Sequence, residues 1–383
     1  MSESKFKVTE EILEKARKSM HKLVDNIISL DLNEIEDYEF PQDEPFGLEI
    51  IYKEALFYLI IKFSSTNKNF ICFSPGAFRR DSVSSTGEII EPPHFVRWSW
   101  YRFFDESVIT SADPTIFWDD EIKIGWMIGD KNHWYLETMS IIISKLAKNQ
   151  NVINDNILFY GSSGGGFISV CLATLIKNSK VLVNNSQFSL SNYWKSLVNY
   201  PIELMAHTFD GLSIKEIKEK IAYRMDAIKL FEKENYAPYI TYYVNVESES
   251  DTANHSIKLI EDHYAQNQFQ GLNIVYYKED KSIPHHPLQT KLTLDLIRLY
   301  AKNNLYNSKP QNKKTIINEE KYVKKLEKEL NKTKKELNKT KKEFNKAKKE
   351  NKNLKNIKRE MQNSKSWKIT RPLRKLMNML KRK

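Results

Sequence analysis

Asn156-Ile157-Leu158-Phe159-Tyr160-Gly161-Ser162-Ser163-Gly164-Gly165-Gly166-Phe167-Ile168-Ser169-Val170 decides how this chain is read. A short apolar run breaks into Gly-x-Ser-x-Gly and resumes with helical spacing. A serine at the apex of a strand-to-helix turn sits in a strained backbone conformation that pushes its hydroxyl out of the sheet, so the residues two before and two after it must be small. Gly161 and Gly165 meet that demand. The helix that follows would aim unpaired N–H groups and its positive dipole end at the oxyanion formed when Ser163 attacks an acyl carbonyl. The same small residues could form a flexible turn or a phosphate-cradling loop. No Lys-Ser/Thr pair follows the glycines, however, and the spacing is not Gly-x-Gly-x-x-Gly.

A nucleophilic serine in such a turn needs a base and an orienting acid, expected later in the chain in the order Ser, Asp/Glu, His. Tyr239 to Val246 is rich in β-branched and aromatic residues and reads as a strand ending in Glu247-Ser248-Glu249-Ser250-Asp251. Asp251 is the expected acid, with Glu249 as its rival and a solvated helix start as the alternative use of the cluster. A second strand-like run, Leu272 to Tyr277, leads to Pro284-His285-His286-Pro287, where a base belongs. Either imidazole could serve. His285 is preferred because Pro287 restricts the backbone at His286, which favours a structural role there.

The remaining six histidines show no metal-ligand spacing, so no metal is expected. Cys72 and Cys171 lie in apolar runs, as core residues do, and provide no disulfide framework. An oxyanion hole takes one N–H from the residue after the nucleophile, here Gly164, and another from the loop after an earlier strand. Phe70 to Phe73 reads as that strand. Gly76 and Ala77 in Ser74-Pro75-Gly76-Ala77-Phe78 are then the second donors, unless that segment is an ordinary Pro-Gly turn.

From about Leu48 to Asn304 the chain resembles the α/β-hydrolase superfamily, through Gly161-Ser162-Ser163-Gly164-Gly165, Asp251 and His285. Ser74-Pro75-Gly76, Asp113-Pro114-Thr115 and Gly125-Trp126-Met127-Ile128-Gly129-Asp130 are similar to motifs of acyltransferase-type members found in bacterial capsule and surface-glycan gene clusters. The resemblance implies a mostly parallel sheet flanked by helices, no permanently bound cofactor, acetyl-CoA as acyl donor and a polysaccharide hydroxyl as acceptor. There is no His-Gly-Gly-Gly motif and no glycine before the histidine, which argues against lipases and ordinary carboxylesterases.

The chain carries 60 Lys/Arg and 49 Asp/Glu, but residues 311–383 hold 27 of the former and 8 of the latter. Residues 1–310 are therefore net acidic, and the basic character belongs to the tail. A nucleic-acid reading of the whole protein from its pI would be mistaken. Within the tail, Glu329-Leu330-Asn331-Lys332-Thr333-Lys334-Lys335 recurs seven residues later and, varied at Phe344 and Ala347, fourteen residues later, setting Leu330, Leu337 and Phe344 on one heptad position. That predicts a lone solvated helix or a weak coiled coil joining copies of the chain. Ser366 to Lys383 interleaves apolar and basic residues, as a helix on an anionic membrane surface does, with an RNA-binding or disordered tail as the alternative. Its Ser-Trp-Lys-Ile-Thr-Arg-Pro-Leu-Arg also resembles tails of bacterial glycosyltransferases.

The expected organisation is an N-terminal helix and linker (1–45), an α/β-hydrolase catalytic domain (46–308) with a cap insertion near 200–236, a basic heptad helix (309–364) and an amphipathic tail (365–383). With no apolar leader after Met1 and no apolar stretch of about 18 residues, the expectation is a cytoplasmic protein apposed to the inner face of the membrane. Three functions fit: an acyltransferase working through acyl-Ser163, an ester hydrolase using the same groups, or a catalytically silent scaffold for glycan assembly.

Overall fold

The computed structural model describes residues 7–78, 91–192, 195–209, 211–265, 269–279 and 284–302, with scattered positions between 339 and 365. The heptad helix expected over 309–364 and the amphipathic segment expected over 365–383 fall outside the described residues, those positions apart. The chain divides into two compact units, 1–307 and 308–383. The first holds every residue discussed below.

Nine strands form one sheet: β1 (Ile27–Leu30), β2 (Pro45–Tyr52), β3 (Ala55–Lys62), β4 (Phe70–Phe73), β5 (Ser107–Ser111), β6 (Ile157–Ser162), β7 (Lys180–Asn184), β8 (Ala237–Asn245) and β9 (Phe269–Tyr277). Their spatial order is β1-β2-β3-β5-β4-β6-β7-β8-β9. β3 runs antiparallel to both its neighbours, and the other pairings are parallel. This is the α/β-hydrolase architecture that the resemblance implies. β1 pairs in register with β2 through Ile27 and Gly47, so the segment expected as a linker before residue 45 instead extends the sheet by one strand.

The strands are apolar on both faces because helices cover both. On one face Ile157, Phe159, Val181 and Val183 pack with α2 (Tyr135–Asn149) and α3 (Gly164–Leu175). On the other, Leu158, Tyr160 and Leu182 meet Leu294, Ile297 and Ala301, which belong to a helix at Thr290–Lys302. α1 (Glu10–His21) docks separately, burying Ala16 and Met20 against Tyr58 and Ile60. It is also pinned by a bidentate ion pair from Arg17 to the fully buried Glu49, which accepts from Ser29 and Tyr58 as well. These hydrogen bonds hold the Glu49 carboxyl below its usual range although burial pushes the other way.

The segment expected as a cap insertion is helical: α4 (Lys195–Ala206), α5 (Ile214–Lys220), α6 (Ala222–Met225) and α7 (Ala227–Glu234). α7 buries Leu230 and Phe231 and forms the last part of the crossover between the parallel strands β7 and β8. After β8 a single turn, α8 (Glu249–Asp251), runs through a π-helical stretch, Thr252–Ile257, into α9 (Lys258–Ala265), and β9 is followed by α10 (Thr290–Lys302). The ends of β4, β6, β7, β8 and β9 are thereby brought to one edge of the sheet, the carboxyl edge where ligands of open α/β sheets bind.

The turn between β6 and α3 is the tightest part of this edge. A Cβ on Gly161 would lie 2.1 Å from the Gly165 carbonyl oxygen, backbone against backbone, whereas one on Gly76 would meet only a Val96 methyl at 3.5 Å. Gly161→Ala should therefore destabilise the fold by about 3 kcal/mol or more, while Gly76→Ala should stay close to wild type. Denaturant titration of the two variants measures the contrast.

Candidate active site

Ser163 stands at the junction of β6 and α3 with φ 53° and ψ −128°, outside the helical region that begins at Gly164. A non-glycine residue held there costs on the order of 1–3 kcal/mol and persists only when its surroundings fix it. Its N–H reaches the carbonyls of Asn184 and Asn185 at the end of β7 (3.2 and 3.1 Å), and its carbonyl accepts from Gly166 (3.0 Å) and Gln187 (3.3 Å). The elbow is thus tied to the neighbouring strand as well as to its own helix.

The structure brings Ser163, His285 and Asp251 together. His285 Nε2 lies 2.9 Å from Ser163 Oγ, and His285 Nδ1 lies 2.7 Å from Asp251 Oδ2. The side chain of Asp251 is almost wholly buried and that of His285 is partly open to solvent (1% and 29% exposed), so the carboxylate is sequestered while the ring reaches the surface where a substrate would arrive. Ser248 donates a further hydrogen bond to Asp251 Oδ2 at 2.5 Å. With Nδ1–H directed at the carboxylate, Nε2 is left as the acceptor facing the serine, which is the tautomer a general base needs. Glu249, the rival acid, is exposed. The His286 ring is exposed too, and that residue contributes its backbone carbonyl, which accepts from Asn185 Nδ2 at 2.9 Å.

Three asparagines at the ends of β7 and β8 hold the histidine loop. Asn245 Nδ2 donates to the Pro284 carbonyl, Asn185 Nδ2 to that of His286, and Asn184 Oδ1 accepts from the Leu288 N–H (2.9, 2.9 and 2.6 Å). Asn185 Oδ1 also accepts from the Asn245 N–H. Each supplies a hydrogen-bond partner to backbone outside any strand ladder. None was singled out from the sequence.

On the other side of β6, the loop after β4 lies against the elbow. Ser74 N–H bonds the Tyr160 carbonyl, Ser74 Oγ accepts from Ser169 Oγ at 2.8 Å, and a Cβ on Gly165 would lie 2.8 Å from the Pro75 oxygen. Gly76 and Ala77, expected as donors, follow directly, and Gly164 begins α3; Gly164 is buried, Gly76 half-buried and Ala77 exposed. The three amides therefore share one end of the sheet.

Asp113 explains two further sequence motifs. Its buried carboxylate accepts from the N–H groups of Thr115, Gly125 and Met127 (3.0, 2.7 and 3.1 Å), folding the 125–130 segment back on the turn after β5. Burial raises its pKa despite those bonds. Trp126, held at a positive φ of 50°, donates from its indole Nε1 to Gln187 Oε1 at 3.0 Å. An indole can only donate, so the Gln187 oxygen must face it. That turns the Gln187 amide NH₂ toward Ser163 Oγ, 3.4 Å away. Gln187 touches Ser163 yet carried no sequence signal, since it lies outside any motif.

Ser162, next to Ser163, has different company. Its Oγ accepts from Arg97 Nη2 at 3.0 Å. Among the described residues no group of His, Cys, Asp and Glu is arranged to hold a metal ion, and no helix is long and apolar enough to cross a membrane.

The sequence matches no family model and no curated protein. Solved structures do resemble the fold. The capsule O-acetyltransferase of Neisseria meningitidis serogroup A superposes with a TM-score of 0.50 at 13% identity, over 66% of this chain and 96% of its own. Acetyl xylan esterase 1 from Thermoanaerobacterium sp. matches at a TM-score of 0.43 and 14% identity, over 78% and 99%, and the esterase EstE5 at 0.41 and 11%, over 77% and 98%. At these identities the likeness is one of fold.

The geometry separates adjacent residues sharply. A serine-directed fluorophosphonate should label the wild type and Ser162→Ala but not Ser163→Ala, read by mass spectrometry of the elbow peptide. His285→Ala should lower esterolysis of a small activated ester by roughly a thousandfold or more, with His286→Ala near the wild-type rate. Labelling on Ser162, or the reverse order of the histidines, contradicts the arrangement.

A third histidine, His255, lies buried near this relay and accepts from the Phe188 N–H at 3.4 Å. Burial, with a smaller contribution from His285, lowers its pKa from 6.5 to about 4 against the pull of Asp251. Between those values the unfolded chain takes up a proton that the folded chain refuses, so this contribution is complete above 6.5 and is lost as the pH falls toward 4. Stability from denaturant titrations should decline over that window, and His255→Phe should flatten the slope by up to about 1.4 kcal/mol per pH unit.

Proposed function

We propose that this protein is a serine-dependent acyl-transfer enzyme working through an acyl-Ser163 intermediate, with O-acetylation of a bacterial surface polysaccharide from acetyl-CoA as its specific reaction. The observation that carries the reading is the Ser163–His285–Asp251 relay, with hydrogen-bond distances at both links and the carboxylate buried. Ser163 Oγ attacks the thioester carbonyl while His285 Nε2 takes its proton. The C–S bond then breaks, and CoA leaves as the thiol with that proton. An acceptor hydroxyl attacks the acyl-enzyme, His285 takes the new proton and returns it to Ser163 as the ester departs. Asp251 keeps the imidazole oriented and stabilises its cationic form throughout. In this reading Gly164, with Gly76 or Ala77, donates to the oxyanion.

A scaffold without catalysis has no need of a strained serine aligned with a base, which supports an enzyme. Transfer and hydrolysis share the acyl-enzyme and differ only in the nucleophile that resolves it. The choice of acetyl-CoA and a glycan hydroxyl draws on the resemblance of the 74–76, 113–115 and 125–130 motifs to acyltransferase-type members, and the capsule O-acetyltransferase is an instance of such chemistry on this fold. Ester hydrolysis is the second reading, favoured by the partly open His285 ring, which water can reach.

Incubation with acetyl-CoA should add one acetyl group, located on the peptide bearing Ser163 and lacking in Ser163→Ala. Addition of an acceptor glycan should clear that adduct faster than buffer alone and yield acetylated glycan. Acylation by an activated ester but not by acetyl-CoA, with release to water alone, would replace transfer by hydrolysis.

A further inference from the structure

Arg97 is held in a left-handed conformation (φ 65°, ψ 23°) where the chain enters a 3₁₀ turn, Trp98–Phe103. Such a conformation in a side-chain-bearing residue is a cost that its surroundings must offset. The guanidinium lies 5.2 Å from the centroid of the Trp100 ring and 5.1 Å from that of Tyr160, and donates from Nη2 to Ser162 Oγ. The two rings and the serine fix its position without neutralising it. Among the described residues no carboxylate pairs with Arg97. Guanidinium presents five N–H donors in a rigid fork suited to planar or tetrahedral oxyanions, and one is engaged here. A half-buried cation so placed, in a unit of net acidic sequence, is matched to a charge that arrives from outside.

We infer that Arg97 recognises an anionic oxygen group, a carboxylate or a phosphate, on the acyl acceptor, so that the acceptor is an acidic rather than a neutral glycan. This rests on the acyl-transfer reading above. Ser162 and Ser163 are consecutive, their Cα atoms about 3.8 Å apart, so with one short side chain on each a group bonded to Ser162 Oγ lies no more than about 12 Å from the Ser163 hydroxyl, a span of about two sugar units. The phosphates of CoA are separated from its thioester by the whole pantetheine arm, too far for a donor bound at Ser163 to place them at Arg97 while extended. A carboxylate or phosphate on the sugar undergoing acylation, or on its neighbour, has the required reach. The turn itself supports a glycan. Trp98, Trp100 and Tyr101 are half-buried, and Arg102 stacks over Trp98 and Tyr101 at 5.8 and 5.4 Å, giving a shelf of rings and guanidinium groups on which sugar faces can lie.

The test uses the full chain, with acyl-Ser163 formed first from p-nitrophenyl acetate, a donor without phosphate, and then from acetyl-CoA. The acyl-enzyme is resolved by methyl glucuronide or by methyl glucoside, the same sugar with and without a carboxylate. The readout is the ratio of their kcat/KM values, which a general loss of structure or nucleophilicity would leave in place. The wild type should favour the acidic sugar by about tenfold or more, Arg97→Gln should lose that preference, and Arg97→Lys should recover part of it. The same ratio in Arg97→Gln as in the wild type, or no acidic preference in the wild type, overturns the inference. A defect in Arg97→Gln confined to the KM for acetyl-CoA assigns the anion to the donor and overturns it as well. If no acyl-Ser163 forms from either donor, the acyl-transfer reading itself falls, and this inference with it; an acyl-enzyme that forms but ignores the acceptor's charge sinks the Arg97 inference alone.

Discussion

One steric constraint organises this end of the molecule: Ser163 can occupy φ 53°, ψ −128° only because the chain around it has no side chains to collide. A Cβ at Gly161 would meet the Gly165 carbonyl, at Gly165 the loop after β4, and at Gly166 the side chain of Ser186. The small residues therefore let three pieces of backbone, from β4, β6 and β7, close to within van der Waals distance of one another. That closeness lets Ser163 tie its N–H to Asn184 and Asn185. The strain at the serine is offset by interactions that exist only when the sheet is assembled.

The electrostatics of the site follow from the same assembly. Asp251 is buried with a serine hydroxyl and an imidazole N–H as its partners, so its charge is desolvated but hydrogen-bonded, the condition under which a buried carboxylate is tolerated. His285 lies between β9 and α10 in a loop whose backbone at Pro284, His286 and Leu288 is bonded by the side-chain amides of Asn245, Asn185 and Asn184. These asparagines sit at the carboxyl ends of adjacent parallel strands, where each strand stops donating and accepting along its ladder. Short polar side chains there supply the missing partners and convert a strand end into a clamp.

A second network reaches Ser163 from the Gln187 side. Asp113 gathers the N–H groups of a loop that places Trp126, the Trp126 indole orients the Gln187 amide, and that amide faces Ser163. Arg97 performs a comparable task for Ser162. Two consecutive serines are thereby differentiated by their neighbours, an imidazole beside one and a guanidinium beside the other, although their sequence contexts are nearly the same.

The sequence by itself determined the elbow, the strand-to-helix alternation around it and the order Ser163, Asp251, His285, because these are written in local periodicity, in glycine spacing and in chain order. It also carried the segregation of charge into residues 311–383, which is a matter of counting. The tertiary structure joined Asp251 to His285 and His285 to Ser163 and left Glu249 and His286 exposed, since one residue of displacement turns a side chain from the cluster to solvent and no local pattern records which way it turns. It alone placed Ile27–Leu30 as an added edge strand, because a four-residue segment is too short to declare itself without its partner β2. Gln187, Arg97 and the three asparagines belong to the same class. Their roles come from contacts across 24 to 104 residues of sequence, and such contacts have no signature in the chain until the sheet brings their partners within reach.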